Sequence, residues 1–316
     1  MSSKVTVIIP TYNRAYLAEK ACRSALSQTY KDLEVFVIDN GSSDNTEEVI
    51  SKINDRRLKY LRMPEPTNGP AGPRNYAIKI SNSPYLAFLD SDDQWLKDKL
   101  ETQIPLFEKQ KDIGLVYSNG FLIRNSMENK KVKFFNKIIV PYRGNPVKQL
   151  LSGNFIPLSS VVAKRECFDN CGLFDERFFS TADWELWLRF IELYKIDYID
   201  KPLIEYLRHE DAHSYNRRSV MFDEILTVLD GLKDRNFWQG QGFYPLIERE
   251  IRFNRAKREF VFGYEAILAG RDREGKKIIY NTLVNLNNLN NRWKFYSLMS
   301  FLLPCSLLRK ILIRNW

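Results

Sequence analysis

The sequence predicts an α/β domain followed by a small helical C-terminal region, on three observations. Apolar runs and helical stripes alternate over the first 120 residues at the spacing of parallel β-α units. Polar clusters follow three of the apolar runs, and after about Ser219 β-branched runs give way to helical segments. The expected parts are residues 1–218, with a ligand-binding half to about residue 112 and a mixed portion over 113–218, and a helical part over 219–316.

Taken in order, Val5–Ile9 and Val35–Ile38 read as buried strands. Between them Leu17, Ala18, Ala21, Cys22, Ala25 and Leu26 fall on one helical stripe, the buried face of a crossover helix. Asp44 followed by Glu47 is a capping-box arrangement that starts a second helix. Leu58–Leu61 reads as a short strand, Ala77–Ile80 as part of a helix, and Tyr85–Leu89 as the next strand. Beyond Ile113 strands are expected at Gly114–Tyr117 and Ser159–Val162, and a helix from Trp184 to Leu193. Phe222–Leu232, Leu246–Leu268 and Lys276–Leu286 supply the C-terminal helices.

With 316 residues, 44% of them apolar, the chain can bury a substantial core. A formal charge of +9 favours an anionic partner: nucleic acid, acidic lipid or a phosphorylated small molecule. Four scattered cysteines do not make a disulfide framework, and reduced thiols in a cytoplasm fit them best. Cys167 and Cys171 are four apart with no second ligand pair beside them, so they read as core residues. Met1-Ser-Ser-Lys4 runs into the first apolar run without a secretion-signal pattern. The longest uncharged stretch, Phe295 to Leu308, has 14 residues and contains a proline. That is short of the roughly 20 that a spanning helix needs.

The cluster Asp90-Ser91-Asp92-Asp93 follows a buried strand, at the edge where open α/β sheets bind ligands. Three carboxylates in four residues repel one another unless an opposing charge sits among them. Oxygen-only ligands suit Mn2+ or Mg2+, which commonly bridge carboxylates to phosphate oxygens. A solvated turn with helix-capping aspartates is the plainer alternative. Pro10, Thr11, Tyr12 and Arg14 follow the first strand, where Tyr12 can stack on a base and Thr11 and Arg14 can approach ribose or phosphate. Asp39 follows the next strand and can accept a hydrogen bond from a base N–H or a ribose hydroxyl; a glycine-containing turn with caps explains it equally well.

Together these segments, Val-Ile-Ile-Pro10-Thr-Tyr-Asn-Arg14, Val-Ile-Asp39-Asn-Gly-Ser-Ser-Asp44, Gly69-Pro-Ala-Gly-Pro-Arg74-Asn75 and Phe-Leu-Asp90-Ser-Asp-Asp93, resemble the family 2 inverting glycosyltransferases of the GT-A fold. The resemblance spans about residues 4–215, with four motifs in order at suitable spacing. It implies a Rossmann-like nucleotide-binding sheet with a mixed acceptor-side portion. It also implies that Tyr12 stacks on the base, Asp39 hydrogen-bonds it, and Arg74 lies near the base or diphosphate. The metal would meet Asp92, with Asp90 and Asp93 helping or binding ribose. Asp183-Trp-Glu-Leu-Trp-Leu-Arg189 matches the family's acidic motif, which makes Asp183 the catalytic base. The usual pair there is Glu-Asp; this chain has Ala182-Asp183, which removes a neighbour that would orient and tune the base. Arg208 and His209 resemble a segment that closes over the diphosphate, His209 as metal ligand or phosphate donor.

The implied reaction moves a sugar, with inversion, from a nucleotide diphosphate-sugar, preferably UDP-linked, to a glycan or lipid-linked glycan acceptor. A non-catalytic sugar-nucleotide or glycan-binding module is the alternative that Ala182 favours. A nucleotidyltransferase is weaker for want of a glycine-rich phosphate loop, and no nucleic-acid motif is present. From Asn291 onward the tail is basic, without one acidic residue, and Leu307, Leu308, Ile311 and Leu312 share a helical face. It reads as an in-plane helix on an anionic membrane, at the inner face of the cell membrane, or as a helix that packs back or makes a homodimer.

Overall fold

The structure is a computed structural model that describes residues 3–124, 131–135, 140–208 and 218–284. The chain divides into two compact units between residues 212 and 213.

The first unit is built on β1 (Val5–Thr11), β2 (Leu33–Asp39), β3 (Leu58–Arg62) and β4 (Tyr85–Phe88). These four strands pair in parallel, β1 between β2 and β4, with β3 outside β2. β1 is buried along its whole length, which explains its unbroken apolar run. Helix α1 (Ala15–Leu26) turns Ala18, Ala21, Cys22, Ala25 and Leu26 onto the sheet, as its stripe predicts. Helix α2 (Thr46–Ser51) follows Asp44, whose carboxylate accepts the Thr46 N–H at 3.0 Å. The reciprocal half of the expected capping box is replaced: Glu47 lies 4.0 Å from Arg62 across the loop.

Beyond β4 the sheet turns mixed. Its remaining strands are β5 (Gln94–Trp95), β6 (Ile113–Arg124), β7 (Lys131–Lys133), β8 (Val162–Lys164) and β9 (Lys195–Arg208). The order is β3-β2-β1-β4-β8-β6-β9-β5, with β7 against β6. The sequence gives little sign of β9, because charged residues and Pro202 interrupt its apolar pattern. It runs parallel to β6 through two irregular registers beside Asn119, where a Cβ on Gly120 would come within 2.4 Å of Ile204. The expected strand at Ser159 is instead a 3-10 turn, Leu158–Ser160, that delivers the chain into β8.

Helix α3 (Ala71–Ile80) begins earlier than its apolar residues suggest, so Pro73 and Arg74 stand in its first turns rather than in a loop. Helices α4 (Lys99–Lys109), α5 (Val147–Leu151), α6 (Arg165–Cys171) and α7 (Ala182–Phe190) complete the unit. The second unit holds helices Arg218–Leu232, Asn236–Gly240, Tyr244–Leu268 and Asp272–Val284. Among the described residues no helix is long and apolar enough to cross a membrane. The basic tail from Asn291 lies outside the described residues.

One buried charge sets a pH dependence. Lys99, 0% exposed, donates to Gln103 Oε1 at 2.7 Å and sits 4.2 Å from the Trp95 ring centroid. Burial pushes its ammonium well below the ordinary lysine range. From that lowered value up to about 10.4, the unfolded chain binds the extra proton, so this residue makes stability rise with pH. Lys99→Met removes the contribution. In urea titrations the stability of the variant relative to the native chain is expected to fall as pH rises towards about 10; a constant difference would mean that Lys99 stays charged in the fold.

Candidate active site

The carboxyl ends of β1, β2 and β4 lie side by side, with Thr11 paired to Asp39 in register. This brings the three predicted motifs to one rim. Tyr12 is 52% exposed there, its ring open to a planar ligand. Pro10 and Thr11 are buried, and Thr11 Oγ1 has no hydrogen-bond partner among the described residues. Asn13 adopts φ 50, a left-handed conformation that asparagine tolerates. Its Oδ1 accepts the Ser43 N–H at 2.7 Å, and its own N–H donates to Ser42 Oγ at 2.8 Å, so the first two loops are stitched together.

Asp39 is fully enclosed. Its Oδ1 accepts from the Ser42 N–H at 2.9 Å and hydroxyl at 2.5 Å, and its Oδ2 accepts the Tyr60 hydroxyl at 2.6 Å. Ser42 belongs to the same motif as Asp39, whereas Tyr60, outside every motif, comes from the neighbouring strand β3.

The aspartate cluster separates into two outward carboxylates and one inward. Arg14 Nη1 donates to Asp92 Oδ2 at 2.7 Å, and Arg74 Nη2 to Asp90 Oδ1 at 2.6 Å. Arg74 is itself 5% exposed, beside the Phe174 ring at 5.6 Å, and its Nε has no partner. It is therefore not a surface arginine. Ser91 is buried. Asp93, expected to contact ligand, is turned into the protein at 2% exposure. Its Oδ2 accepts the Ser159 hydroxyl at 2.6 Å and its Oδ1 the Leu207 N–H at 3.0 Å. Ser159 Oγ in turn accepts the Asp90 N–H at 3.0 Å, so one serine joins the β4 end to the 3-10 turn. Burial, then the charges of Asp92 and Asp90, push the Asp93 carboxyl well above the usual carboxylate range.

Asp183 enters from the first turn of α7, where the helix N-terminus favours negative charge. Its Oδ1 accepts the Trp184 N–H at 2.8 Å and its Oδ2 the Asn154 amide at 2.8 Å. Burial pushes its carboxyl up to about 6; Arg74 and these hydrogen bonds pull it down, and Asp90 raises it. Asp183 therefore feels the same guanidinium that holds Asp90. The phenol of Tyr206, on β9, is pushed up by burial and by Asp93, Asp90, Asp92 and Asp183, so all four carboxylates act on one side chain. Glu185 points elsewhere and pairs with Arg189 at 2.6 Å. Arg208 ends β9, whereas His209 lies outside the described residues.

Among the described residues no three His, Cys, Asp or Glu side chains form a ready metal cage. Asp90 and Asp92 offer two hard carboxylates at the site's edge. Mn2+ and Mg2+ take such a pair together with substrate phosphate oxygens, and the residues present fit such an ion.

A family profile described as Glycosyl transferase family 2 matches residues 6–169. An Escherichia coli relative, named UDP-Glc:alpha-D-GlcNAc-diphosphoundecaprenol beta-1,3-glucosyltransferase WfgD, is 33% identical over 232 residues, covering 73% of this chain and 85% of that protein. An uncharacterized glycosyltransferase of Rickettsia felis is 34% identical over 206 residues, covering 64% of this chain. The match spans 32% of that relative, about a third of its length. Among solved structures, S. aureus TarS 1-349 in complex with UDP-GlcNAc superposes with a TM-score of 0.67 at 17% identity, covering 88% of this chain and 80% of that one. Mannosyltransferase PcManGT from Pyrobaculum calidifontis, in complex with GDP-Man and Mn2+, gives 0.60 at 16% identity, covering 98% and 88%. At these identities the likeness is one of fold, the GT-A architecture. With the family profile matched across the rim motifs and WfgD covered along most of its length, this chain belongs to glycosyl transferase family 2.

Proposed function

We propose that this chain moves a sugar from a UDP-sugar to a hydroxyl of a glycan or lipid-linked glycan acceptor, with inversion and with Mn2+ or Mg2+. The carrying observation is the split among neighbouring carboxylates. Asp90 and Asp92 are held by arginines, while Asp183, close enough to feel Arg74 and Asp90, has a proton affinity raised to about 6. Carboxylates whose environments push them apart in this way divide into charge binders and an acid-base group. The relative WfgD, named for a UDP-glucose donor and a diphosphoundecaprenol-linked acceptor, supports the choice of substrate class.

In this reading Asp183 Oδ2 takes the proton of the acceptor hydroxyl. The hydroxyl oxygen bonds to the anomeric carbon from the face opposite the diphosphate. The carbon–oxygen bond to the nucleotide breaks and its electron pair leaves with the UDP. Tyr12 stacks on the base, and Thr11 and Asp39 line its edge, Asp39 sharing oxygens already engaged by Ser42 and Tyr60. Arg14, Arg74 and Arg208 supply positive charge to the diphosphate. Asp92, with Asp90 and His209, would hold the ion, which when bound supplies Lewis-acid stabilisation of charge on the leaving group.

Asp183→Asn is expected to lower transfer by about a hundred- to ten-thousand-fold while calorimetry finds donor binding unchanged; an active variant removes Asp183 from the chemistry. The base must be ionised to work. The acid limb of kcat/KM is therefore expected to rise with pH through about 6, and a flat profile from pH 5 to 7 would contradict the assignment. Treatment with EDTA is expected to abolish UDP release from a panel of UDP-sugars and Mn2+ or Mg2+ to restore it. Turnover undiminished by chelation would end the metal's role.

A further inference from the structure

Ala182 gives Asp183 no polar side chain at the preceding position, yet the carboxylate is held at both oxygens. One hydrogen bond is local, from the Trp184 N–H at 2.8 Å. The other crosses from a separate segment: Asn154 Nδ2 donates to Asp183 Oδ2 at 2.8 Å. The orientation of the Asn154 amide is fixed by its other end, because its Oδ1 accepts the Ile156 N–H at 3.0 Å. Only the NH2 end can then face the carboxylate.

The segment carrying Asn154 is itself anchored to α7. Trp184 Nε1 donates to the Leu150 carbonyl at 2.6 Å, four residues before Asn154 and one residue after Asp183. Gly153, at φ +149, makes the turn between that anchor and the asparagine in a conformation that side chains rarely adopt. Asn154 is exposed, so its amide sits at the lip of the site rather than in the core.

We propose that Asn154 is a positioning residue for the general base: its amide fixes the Asp183 carboxylate so that Oδ2 keeps a lone pair directed to the incoming acceptor hydroxyl. This rests on the reading of Asp183 as the base. A donor on a carboxylate favours its charged form, opposing burial, and the other charged or titratable groups that act here are Arg74 from α3, Asp90 from the end of β4 and Tyr206 from β9. None of those three is hydrogen-bonded to Asp183, so orientation falls to Asn154 and the Trp184 N–H.

The test uses the full chain with its metal and UDP-sugar, comparing Asn154→Ala and the near-isosteric Asn154→Asp with Asp183→Asn. Asn154→Ala is expected to lower kcat by about tenfold, the scale of one hydrogen bond to a charged group, with donor KM unchanged. It is also expected to move the acid limb of the rate profile to higher pH, so that the deficit shrinks as pH rises. Asn154→Asp, which replaces the donor by a like charge, is expected to move the limb further in the same direction. Melting temperatures within a few degrees of the native chain's are expected for both, since the side chain is exposed. Native kcat and a native acid limb in both variants, with Asp183→Asn inactive, would overturn the role of Asn154. Should Asp183→Asn itself retain transfer, the base assignment fails, and the proposal with it.

Discussion

Everything at this site depends on keeping four carboxylates at one end of one sheet without letting them repel the fold apart. Two unit charges about 4 Å apart interact by about 4 kcal/mol at a surface-like dielectric, a large fraction of a domain's stability. The protein answers differently for each. Asp90 and Asp92 receive guanidinium groups, from Arg74 and Arg14. Asp93 receives a hydroxyl and a backbone N–H and is driven towards its neutral form. Asp183 receives an amide and an N–H, and burial pushes its carboxyl up to about 6.

The same pairings are also the joints of the scaffold. Arg14 stands between β1 and α1 and Arg74 in the first turns of α3, so their bonds to Asp92 and Asp90 tie a loop and a helix to the end of β4. Asp93 and Ser159 connect that end to the 3-10 turn that leads into β8 and to β9, in the mixed part of the sheet. A residue that serves the structure in this way is poorly placed to leave it for a ligand. Asp93 is therefore a joint beneath the rim, and the partly exposed Asp90, Asp92 and Tyr12 form its accessible surface.

Much of this was legible because its signals are local. The apolar run of β1, the stripe of α1 and the polar residues just beyond β1, β2 and β4 each fit within a dozen residues, and the parallel sheet does the rest by aligning strand ends. The acceptor side was less legible for an equally physical reason. β9 is stabilised by pairing with β6, with Asn119 filling the irregularity between them through Asp200 and the Phe135 carbonyl, so its own sequence need not alternate cleanly. Prolines and glycines surround Arg74, which hides the helix from its local sequence, yet those residues are the opening turns of α3.

What the motifs could not carry is the partner of each charged group. Asp93 meets Ser159 across 66 positions and Leu207 across 114, Arg14 meets Asp92 across 78, and Asn154 meets Asp183 across 29. No periodicity relates residues so far apart; only the strand order, in which β4 is followed by β8, β6 and β9, brings them together. A motif can therefore announce a carboxylate without announcing its ionisation. Asp93 and Asp183 are both aspartates in acidic motifs, but one is closed off by a serine and a backbone amide while the other meets an exposed asparagine. The difference between a structural carboxylate and a candidate base is set by these distant neighbours, which is why it emerges only once the chain is folded.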